Sequence, residues 1–226
     1  MKLHHLVPFA AGVLALTAVT NAKPLKLTTW SSAGDVVLNE TSAGLTTAHG
    51  VFEDDFPAAA GAFNASGNNP LESFDLESQL GLTSGSLDLD PTNGVNSLEG
   101  SAIWGLIDYK AGQTLKFNWK LFTNETFFND YAFVVLNGVV MPFVNASAAT
   151  VPSAPFQLES SSGKFHYTFT ESGTAKFAVG VVDVGDYSAS SRLDVSSFSV
   201  PEGGSLAPFF ALLLGTAAWV RRRIQA

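Results

Sequence analysis

Apolar and polar residues alternate through much of the second half of the chain, and this two-residue period predicts β-strands. The clearest run spans residues 115–121, which read Leu115, Lys116, Phe117, Asn118, Trp119, Lys120 and Leu121. Successive side chains of a strand point to opposite faces of a sheet. We therefore expect Trp119 to be buried and both lysines to face solvent.

Further strands are predicted on either side of this run. Residues 131–136 and 139–141 flank Asn137-Gly138, a dipeptide that readily adopts the two positive φ angles of a type I′ hairpin turn. The same period recurs in four other sets: Phe165, Tyr167 and Phe169; Ala175, Phe177, Val179 and Val181; Leu193 and Val195; and, near the N-terminus, Leu25, Leu27 and Thr29.

One short helix is predicted over residues 70–80. Asn69 is a favourable cap, Pro70 suits the first helical position, and Glu72 lies three residues after the cap. Gly81 can end the helix in a left-handed conformation. About eight strands, one helix and glycine-containing turns indicate a mainly β protein, with an antiparallel β-sandwich of jelly-roll-like topology as the first expectation.

Residues 1–22 have the order of a secretory signal peptide. Lys2 precedes an apolar run at residues 6–19, and cleavage is expected before Lys23. The domain that follows, residues 23–199, has no cysteine and carries nineteen acidic and eight basic residues, a net charge of −11. Disulfides and thiolate chemistry are therefore excluded, and nucleic acid is an unsuitable partner because its phosphates require a basic surface.

The last segment, residues 200–226, combines three features in a fixed order. Val200, Pro201 and Glu202 precede an apolar stretch at residues 206–220, which is followed by Arg221, Arg222 and Arg223. As a transmembrane helix this stretch would span about 22 Å, less than the roughly 30 Å core of a bilayer. Arginines favour the cytoplasmic side, so the preceding domain should be exported.

This order resembles the PEP-CTERM sorting signal of Gram-negative bacteria. With Gly203 after Glu202, the motif is similar to the Val-Pro-Asp-Gly-type variants of that signal. The resemblance implies export across the inner membrane, transient insertion there, and processing by an exosortase-type sorting enzyme, with the product at the cell surface or in the extracellular matrix. Two alternatives remain: a permanent C-terminal anchor on a structural surface protein, and a GPI signal, against which the terminal arginines argue.

The domain also resembles a family, through Glu99-Gly-Ser-Ala-Ile103, strand 115–121, Asn129-Asp130 with the strand after it, and Gly180-Val-Val-Asp-Val-Gly-Asp186. These segments are similar to the secreted domain often found directly upstream of PEP-CTERM signals. The resemblance implies a lectin-like or carbohydrate-binding-module-like β-sandwich and names no ligand. Ser196 stands where the family commonly has an aspartate, which weakens an ion site that would use it.

Oxygen-bearing side chains predict a calcium loop at residues 88–99. Asp88, Asp90, Thr92, Asn96 and Glu99 fall at positions 1, 3, 5, 9 and 12, close to the spacing of an EF-hand loop. Asn93 stands where that loop requires glycine and neither flank reads as a helix, so a solvated acidic turn is the alternative.

A second acidic group follows two predicted strands, which can end at one edge of the sandwich. It comprises Asn124, Glu125, Asn129, Asp130, Asp183 and Asp186. Hard oxygen ligands from two loops suit calcium, whereas the simpler interpretation is a set of solvated loop residues.

Phe127 and Phe128 are the best candidates for stacking on sugar rings, because adjacent rings in a polar loop cannot easily both point inward. The chain has no nucleophile-elbow, phosphate-loop or His-Glu-x-x-His motif. The sequence therefore predicts a non-enzymatic, surface-sorted β-sandwich associated with extracellular polysaccharide or a biofilm matrix. The alternative from another class is a secreted glycan-processing enzyme that uses a pair of carboxylates.

Overall fold

The computed structural model describes residues 22–52, 58–88 and 95–201. Within them the chain forms two antiparallel β-sheets and one α-helix, α1 (Ser73–Leu80). The strands are β1 (Ala22–Pro24), β2 (Ser31–Ala33), β3 (Asp35–Leu38), β4 (Ser42–Thr46), β5 (Leu71–Glu72), β6 (Ser97–Tyr109), β7 (Thr114–Thr123), β8 (Tyr131–Leu136), β9 (Val139–Asn145), β10 (Ala149–Pro152), β11 (Leu158–Ser160), β12 (Gly163–Thr168), β13 (Gly173–Val184) and β14 (Ser191–Pro201). The prediction of a mainly β, sandwich-like protein with one short helix is confirmed.

The larger sheet has the strand order β10-β11-β7-β14-β4-β3, with β1 beside β14 and β12 beside β7. The smaller sheet has the order β2-β6-β13-β8-β9, with β5 beside β6. Between β6 and β8, and again between β12 and β14, the chain passes from one sheet to the other with each successive strand. Within these two stretches, strands that follow one another in sequence therefore lie in opposite sheets.

The core between the sheets is rich in aromatic rings. Phe117 of β7 lies at its centre, with its ring centroid 4.8 Å from Phe198, 4.9 Å from Phe165 and 5.7 Å from Phe143. Its side chain is 1% exposed. Close packing of this kind makes the core sensitive to the loss of even one ring.

The smaller sheet is buried on its second face as well. Leu76 and Leu80 of α1, together with Leu87, pack there against residues of β8 and β13. All six residues of β8 are consequently buried, which explains why residues 131–136 are apolar at every position instead of alternating.

The predicted hairpin and last strand are confirmed. Asn137 and Gly138 have φ angles of 50° and 81° and connect β8 to β9 in register. Strand β14 runs from Ser191 to Pro201, with an irregularity at Ser197 (φ 59°), where its pairing with β7 shifts.

The predicted helix begins three residues later than expected. Leu71 and Glu72 form strand β5, which pairs with Gly100 and Glu99, so their backbone groups belong to the sheet and not to a helical turn. Glu72 is the cap residue and makes no side-chain capping hydrogen bond, so the capping prediction for Asn69 is wrong. Gly81 ends the helix with φ 76°, as predicted.

Two other local predictions need correction. Residues Leu27–Thr29 form a 3-10 turn and not a strand. Trp119 is half-buried because its indole packs over Gly163 and against Phe143 near the margin of the core. Lys116 is exposed as predicted, whereas Lys120 is only 30% exposed, since it pairs with Glu159.

The predicted signal peptide (residues 1–22, apart from Ala22) and the sorting segment from Glu202 onward lie outside the described residues. Val200 and Pro201 form the end of β14, paired with Lys23 and Ala22 of β1. Within the part of the chain that the structure describes, no helix is long and apolar enough to cross a membrane.

Candidate functional site

Only part of the predicted calcium loop is described, since Asp90 and Thr92 lie in the undescribed stretch 89–94. Asp88 Oδ1 accepts hydrogen bonds from the backbone N–H and the hydroxyl of Ser97, at 3.0 and 3.1 Å. The Asn96 carbonyl accepts from the Gly185 N–H. Glu99 is buried, with Oε2 3.6 Å from His49 Nε2. Among the described residues, no three His, Asp or Glu side chains are arranged to hold one metal ion.

A row of carboxylates crosses one end of the smaller sheet. Glu72 of β5 lies directly opposite Glu99 of β6, and Glu99 lies directly opposite Asp183 of β13. Asp130 immediately precedes β8, and its Oδ1 accepts the Val184 N–H at 3.0 Å. The loop after β7 and the end of β13 therefore do meet. Like charges placed directly opposite in a sheet repel, so this row needs neutralisation.

Burial favours the protonated forms of two aspartates at this end of the sheet. Asp130 is 0% and Asp183 is 1% exposed. Burial raises the pKa of Asp130 to about 8, although hydrogen bonds from the Ser191 hydroxyl and the Val184 N–H oppose the rise. Burial, reinforced by the nearby Asp130 and Glu99 carboxyls, also raises the pKa of Asp183 well above its usual range. The pair therefore holds protons at pH values where exposed aspartates are ionised.

The two predicted sugar-stacking rings are held by a neighbouring carboxylate. Glu125 is 4% exposed, and its Oε1 accepts the backbone N–H groups of Phe127 and Phe128, the latter at 2.8 Å. Phe127 is 79% exposed. Phe128 packs on Gly185, where a Cβ would lie only 2.5 Å from the ring. One ring is thus directed to solvent and the other fills a gap that requires glycine.

A groove of about 630 Å³ lies elsewhere, on the outer face of the larger sheet. It crosses β3, β4, β14 and β7 and ends at the start of β12. Its lining residues are Val37, Asn39, Ser42, Ala43, Gly44, Asn118, Trp119, Lys120, Ser162, Gly163, Lys164, Arg192, Asp194, Val195 and Ser196. The alternate residues of the same strands, such as Phe117, Leu121 and Leu193, fill the core.

The floor of the groove is polar and held in place by ion pairs. Arg192 Nε donates to Asp194 Oδ1 at 2.8 Å. Gly44 lies opposite Asp194 on β4, and a Cβ there would approach Arg192 Nη2 to 3.1 Å, so glycine keeps space for this pair. Lys120 Nζ lies 2.6 Å from Glu159 Oε1, and this hydrogen bond lowers the pKa of Glu159.

Hydroxyl and amide groups lie between these charges. Asn118 of β7 pairs with Ser196 of β14, and Ser196 pairs with Ser42 of β4. On the other side Asn118 pairs with Lys164 of β12. Donors and acceptors in such a row across a sheet can form hydrogen bonds with several hydroxyls of an extended ligand.

Of the predicted site residues that the structure describes, none lines this groove. Phe127 and Phe128 belong to the loop between β7 and β8, and Asp88, Asn96 and Glu99 lie at the smaller sheet. The sequence carried one usable signal, the outward-facing set that begins with Lys116, Asn118 and Lys120. It could not show that β12, β14 and β4 lie beside β7, because strand order depends on long-range pairing.

No family model matches the chain, and no curated protein matches its sequence. Among solved structures, it is similar to a carbohydrate-binding module, TmCBM61, solved in complex with β-1,4-galactotriose. The identity is 11% and the TM-score 0.31, over 79% of this chain and 92% of the module.

Two structures of a β-glucosidase from Kluyveromyces marxianus, one in complex with glucose, align at 9% and 12% identity with TM-scores of 0.29 and 0.30. The two alignments cover 70% and 74% of this chain but only 17% and 18% of the glucosidase chain. Similarities at this level do not identify a ligand for this chain, so the functional proposal below rests on the geometry of the groove.

Proposed function

We propose that this protein is an exported, non-enzymatic β-sandwich of jelly-roll-like topology that binds extracellular polysaccharide in the groove of the larger sheet. The observation that carries this proposal is the groove itself, an open trough of about 630 Å³ across four strands with amide, hydroxyl and charged side chains on its floor. Extended sugar chains suit such a trough, because their many hydroxyls can pair with those groups without deep burial.

The lining of the groove favours binding over glycoside hydrolysis. Glycoside hydrolysis generally needs two carboxyl groups on either side of the scissile bond. Asp194 is the single carboxylate among the described lining residues, and it is already paired with Arg192. A glycan-processing enzyme remains the alternative, and release of sugars is the observation that would favour it.

A bulky residue in the groove is expected to abolish retention on polysaccharide. Ser196 faces the groove from β14, and Ser196→Trp should fill the trough without entering the core. Leu106→Trp is the matched control, because Leu106 is 73% exposed and lies on the smaller sheet. The purified variants are compared on a panel of immobilised polysaccharides, with both retained protein and released sugars measured.

Equal retention of Ser196→Trp and Leu106→Trp would show that the groove is not the binding site. Phe127→Ala tests the loop that the sequence singled out. If Phe127→Ala loses retention while Ser196→Trp keeps it, the sugar site lies at residues 127–128 instead.

Sorting is the second part of the proposal, and it rests on the order of residues 200–226. An exosortase-type enzyme would recognise Val200, Pro201 and Glu202 while Arg221, Arg222 and Arg223 remain at the cytoplasmic side of the inner membrane. The mature protein would then reach the cell surface or extracellular matrix of a Gram-negative bacterium.

Mature protein extracted from the cell surface is expected to lack residues 206–226. Intact-mass measurement decides this. Replacement of the three arginines with glutamine should leave the tail uncleaved. A wild-type mass that still includes the apolar stretch would favour a permanent anchor.

Calcium at residues 88–99 is also proposed. Millimolar calcium should raise the melting temperature more than magnesium at equal ionic strength, since magnesium demands tighter octahedral geometry. Asp90→Ala should remove the difference between the two ions. The difference between ions is the relevant measurement, because it is insensitive to any loss of stability that the substitution itself causes. Coincident wild-type curves in the two ions would refute the site.

A further inference from the structure

Basic side chains are concentrated on the outer face of the larger sheet, although the domain as a whole is acidic. Residues 23–199 carry a net charge of −11 with only eight basic residues. Among the side chains that the structure describes, four of these lie on this one face: Lys116, Lys120, Lys164 and Arg192. Asp194 and Glu159 are the carboxylates paired with them in the described structure. The face is therefore positive while the remaining surface is strongly negative.

The four basic groups fall into two kinds. Lys120 and Arg192 are held by Glu159 and Asp194 at 2.6 and 2.8 Å, which fixes their positions along the groove. Lys164 and Lys116 are exposed and form no ion pair with any described residue. Positive charge is thus available to a ligand at the edge of the groove formed by β7 and β12.

Lys164 lies next to the polar row on the floor of the groove. It lies directly opposite Asn118, whose other neighbour is Ser196 in the middle of the groove. Lys116 follows on the same face two residues from Asn118, about 7 Å along the strand. A chain lying along the row of Asn118, Ser196 and Ser42 would therefore end with its substituents beside two lysines.

The groove offers little for stacking on the apolar face of a neutral sugar. Trp119 is its one aromatic lining residue among those described, and its indole packs over Gly163 and against Phe143. Recognition must then depend mainly on hydrogen bonds and charge. An anionic ligand would also be repelled by the rest of this acidic protein, which confines productive encounter to the basic face.

We infer that the groove selects acidic polysaccharides, meaning chains that bear carboxylate or sulfate groups, with Lys164 and Lys116 as the anion-contacting residues. This inference rests on the proposed polysaccharide-binding function and adds the chemical class of the ligand. Lys120 and Arg192 provide a positive field from fixed positions, and the amide and hydroxyl row contacts the sugar hydroxyls.

The test compares polymers that differ only in charge. Polygalacturonate is paired with its carboxyl-reduced form, and dextran sulfate with dextran, so that carboxylate and sulfate are assessed separately against neutral chains of the same backbone. We expect the protein to bind at least one acidic polymer more tightly than its neutral partner at low ionic strength. The preference should fade near 1 M salt, where charges are screened within about 3 Å.

The decisive variants are Lys164→Glu and Lys110→Glu. Both change the net charge equally, and both side chains are exposed, but Lys110 lies in the turn after β6 and does not line the groove. Lys164→Glu should weaken binding of the acidic polymer about tenfold or more, since attraction to an anionic group becomes repulsion of similar size. Lys110→Glu should change it little, and binding of the neutral polymer should be unaffected by either.

Other outcomes separate the two levels of the proposal. If both charge variants behave alike, or if acidic and reduced polymers bind equally, the inference about anionic ligands is wrong while polysaccharide binding stands. If Ser196→Trp retains the acidic polymer, the groove itself is not the site. If duplex DNA competes as well as dextran sulfate does, the face recognises negative charge alone and the assignment to polysaccharide is overturned.

Discussion

Phe117→Ala is expected to lower the free energy of unfolding by about 4 kcal/mol, within the range for emptied aromatic sites in cores. Phe117 is 1% exposed, and its ring lies near aromatic rings of both sheets, with Phe198 of the larger sheet and Phe143 of the smaller sheet at centroid distances of 4.8 and 5.7 Å. Removing it deletes these contacts and leaves a cavity that surrounding strands cannot fill, because their register is fixed by backbone pairing. Chemical denaturation of the purified variant gives the value directly.

Trp119→Ala is the matched comparison on the same strand and the same face. Its ring is half-buried at the margin of the core, so we expect a smaller loss, about 2 kcal/mol. Lys116→Ala, on the exposed face, should change stability by less than about 0.5 kcal/mol. If Trp119→Ala proves more damaging than Phe117→Ala, the centre of the core has been misplaced.

Stability is expected to fall as pH rises from about 4 to about 8. Burial raises the pKa of Asp130 to about 8 in the folded protein, while the unfolded chain has an ordinary aspartate near 3.8. Between these values the folded state holds a proton that the unfolded state has released. Since the folded state binds more protons, stability is greatest below the lower pKa and declines until the folded carboxyl also ionises.

The expected loss of stability is large for a single ionisable group. Each pH unit over which only the folded state holds the proton contributes about 1.4 kcal/mol, and 1 kcal/mol changes the melting temperature by about 2–4 °C in a domain of this size. Asp183 adds in the same direction because its pKa is also raised by burial and by Asp130. We therefore expect a fall of several degrees or more between pH 5 and pH 8, measured with a chelator present.

Asp130→Asn should flatten this dependence. In the wild type, Asp130 Oδ1 accepts the Val184 N–H at 3.0 Å and Asp130 Oδ2 accepts the Ser191 hydroxyl at 2.6 Å. In the variant, the amide oxygen can still accept the Val184 N–H, and the amide nitrogen can donate to the Ser191 hydroxyl oxygen. Glu171→Gln, at an exposed carboxylate, serves as the control and should keep the wild-type slope. Parallel curves for wild type and Asp130→Asn would show that Asp130 does not carry the effect.

The sequence determined the elements whose causes are local. Alternation at residues 115–121 predicted β7, Asn137-Gly138 predicted the hairpin between β8 and β9, and Gly81 predicted the end of α1, because side-chain direction and allowed φ angles are properties of a few adjacent residues. The start of α1 was predicted wrongly. Leu71 and Glu72 had favourable helical context, but pairing with β6 stabilised an extended backbone instead.

The acidic residues show the same division between what the sequence predicted and what tertiary structure decided. The sequence established an acidic domain without cysteine, and it marked Glu125, Asp130 and Asp183 as members of one possible cluster. Only the structure placed Asp183 directly opposite Glu99 and buried both, together with Asp130. Burial raises the pKa of Asp130 and of Asp183, which the sequence had left as possible solvated loop residues. Burial depends on what the rest of the chain packs over a residue, and no short pattern contains that information.

The groove was decided entirely by tertiary structure. Lys120, Lys164 and Arg192 are separated by dozens of residues in the chain and belong to β7, β12 and β14, which become neighbours only through antiparallel pairing. Each strand by itself predicts merely that these side chains face solvent. The order of the strands places these side chains on one continuous basic and polar surface. That order is determined by the free energy of strand pairing and core burial.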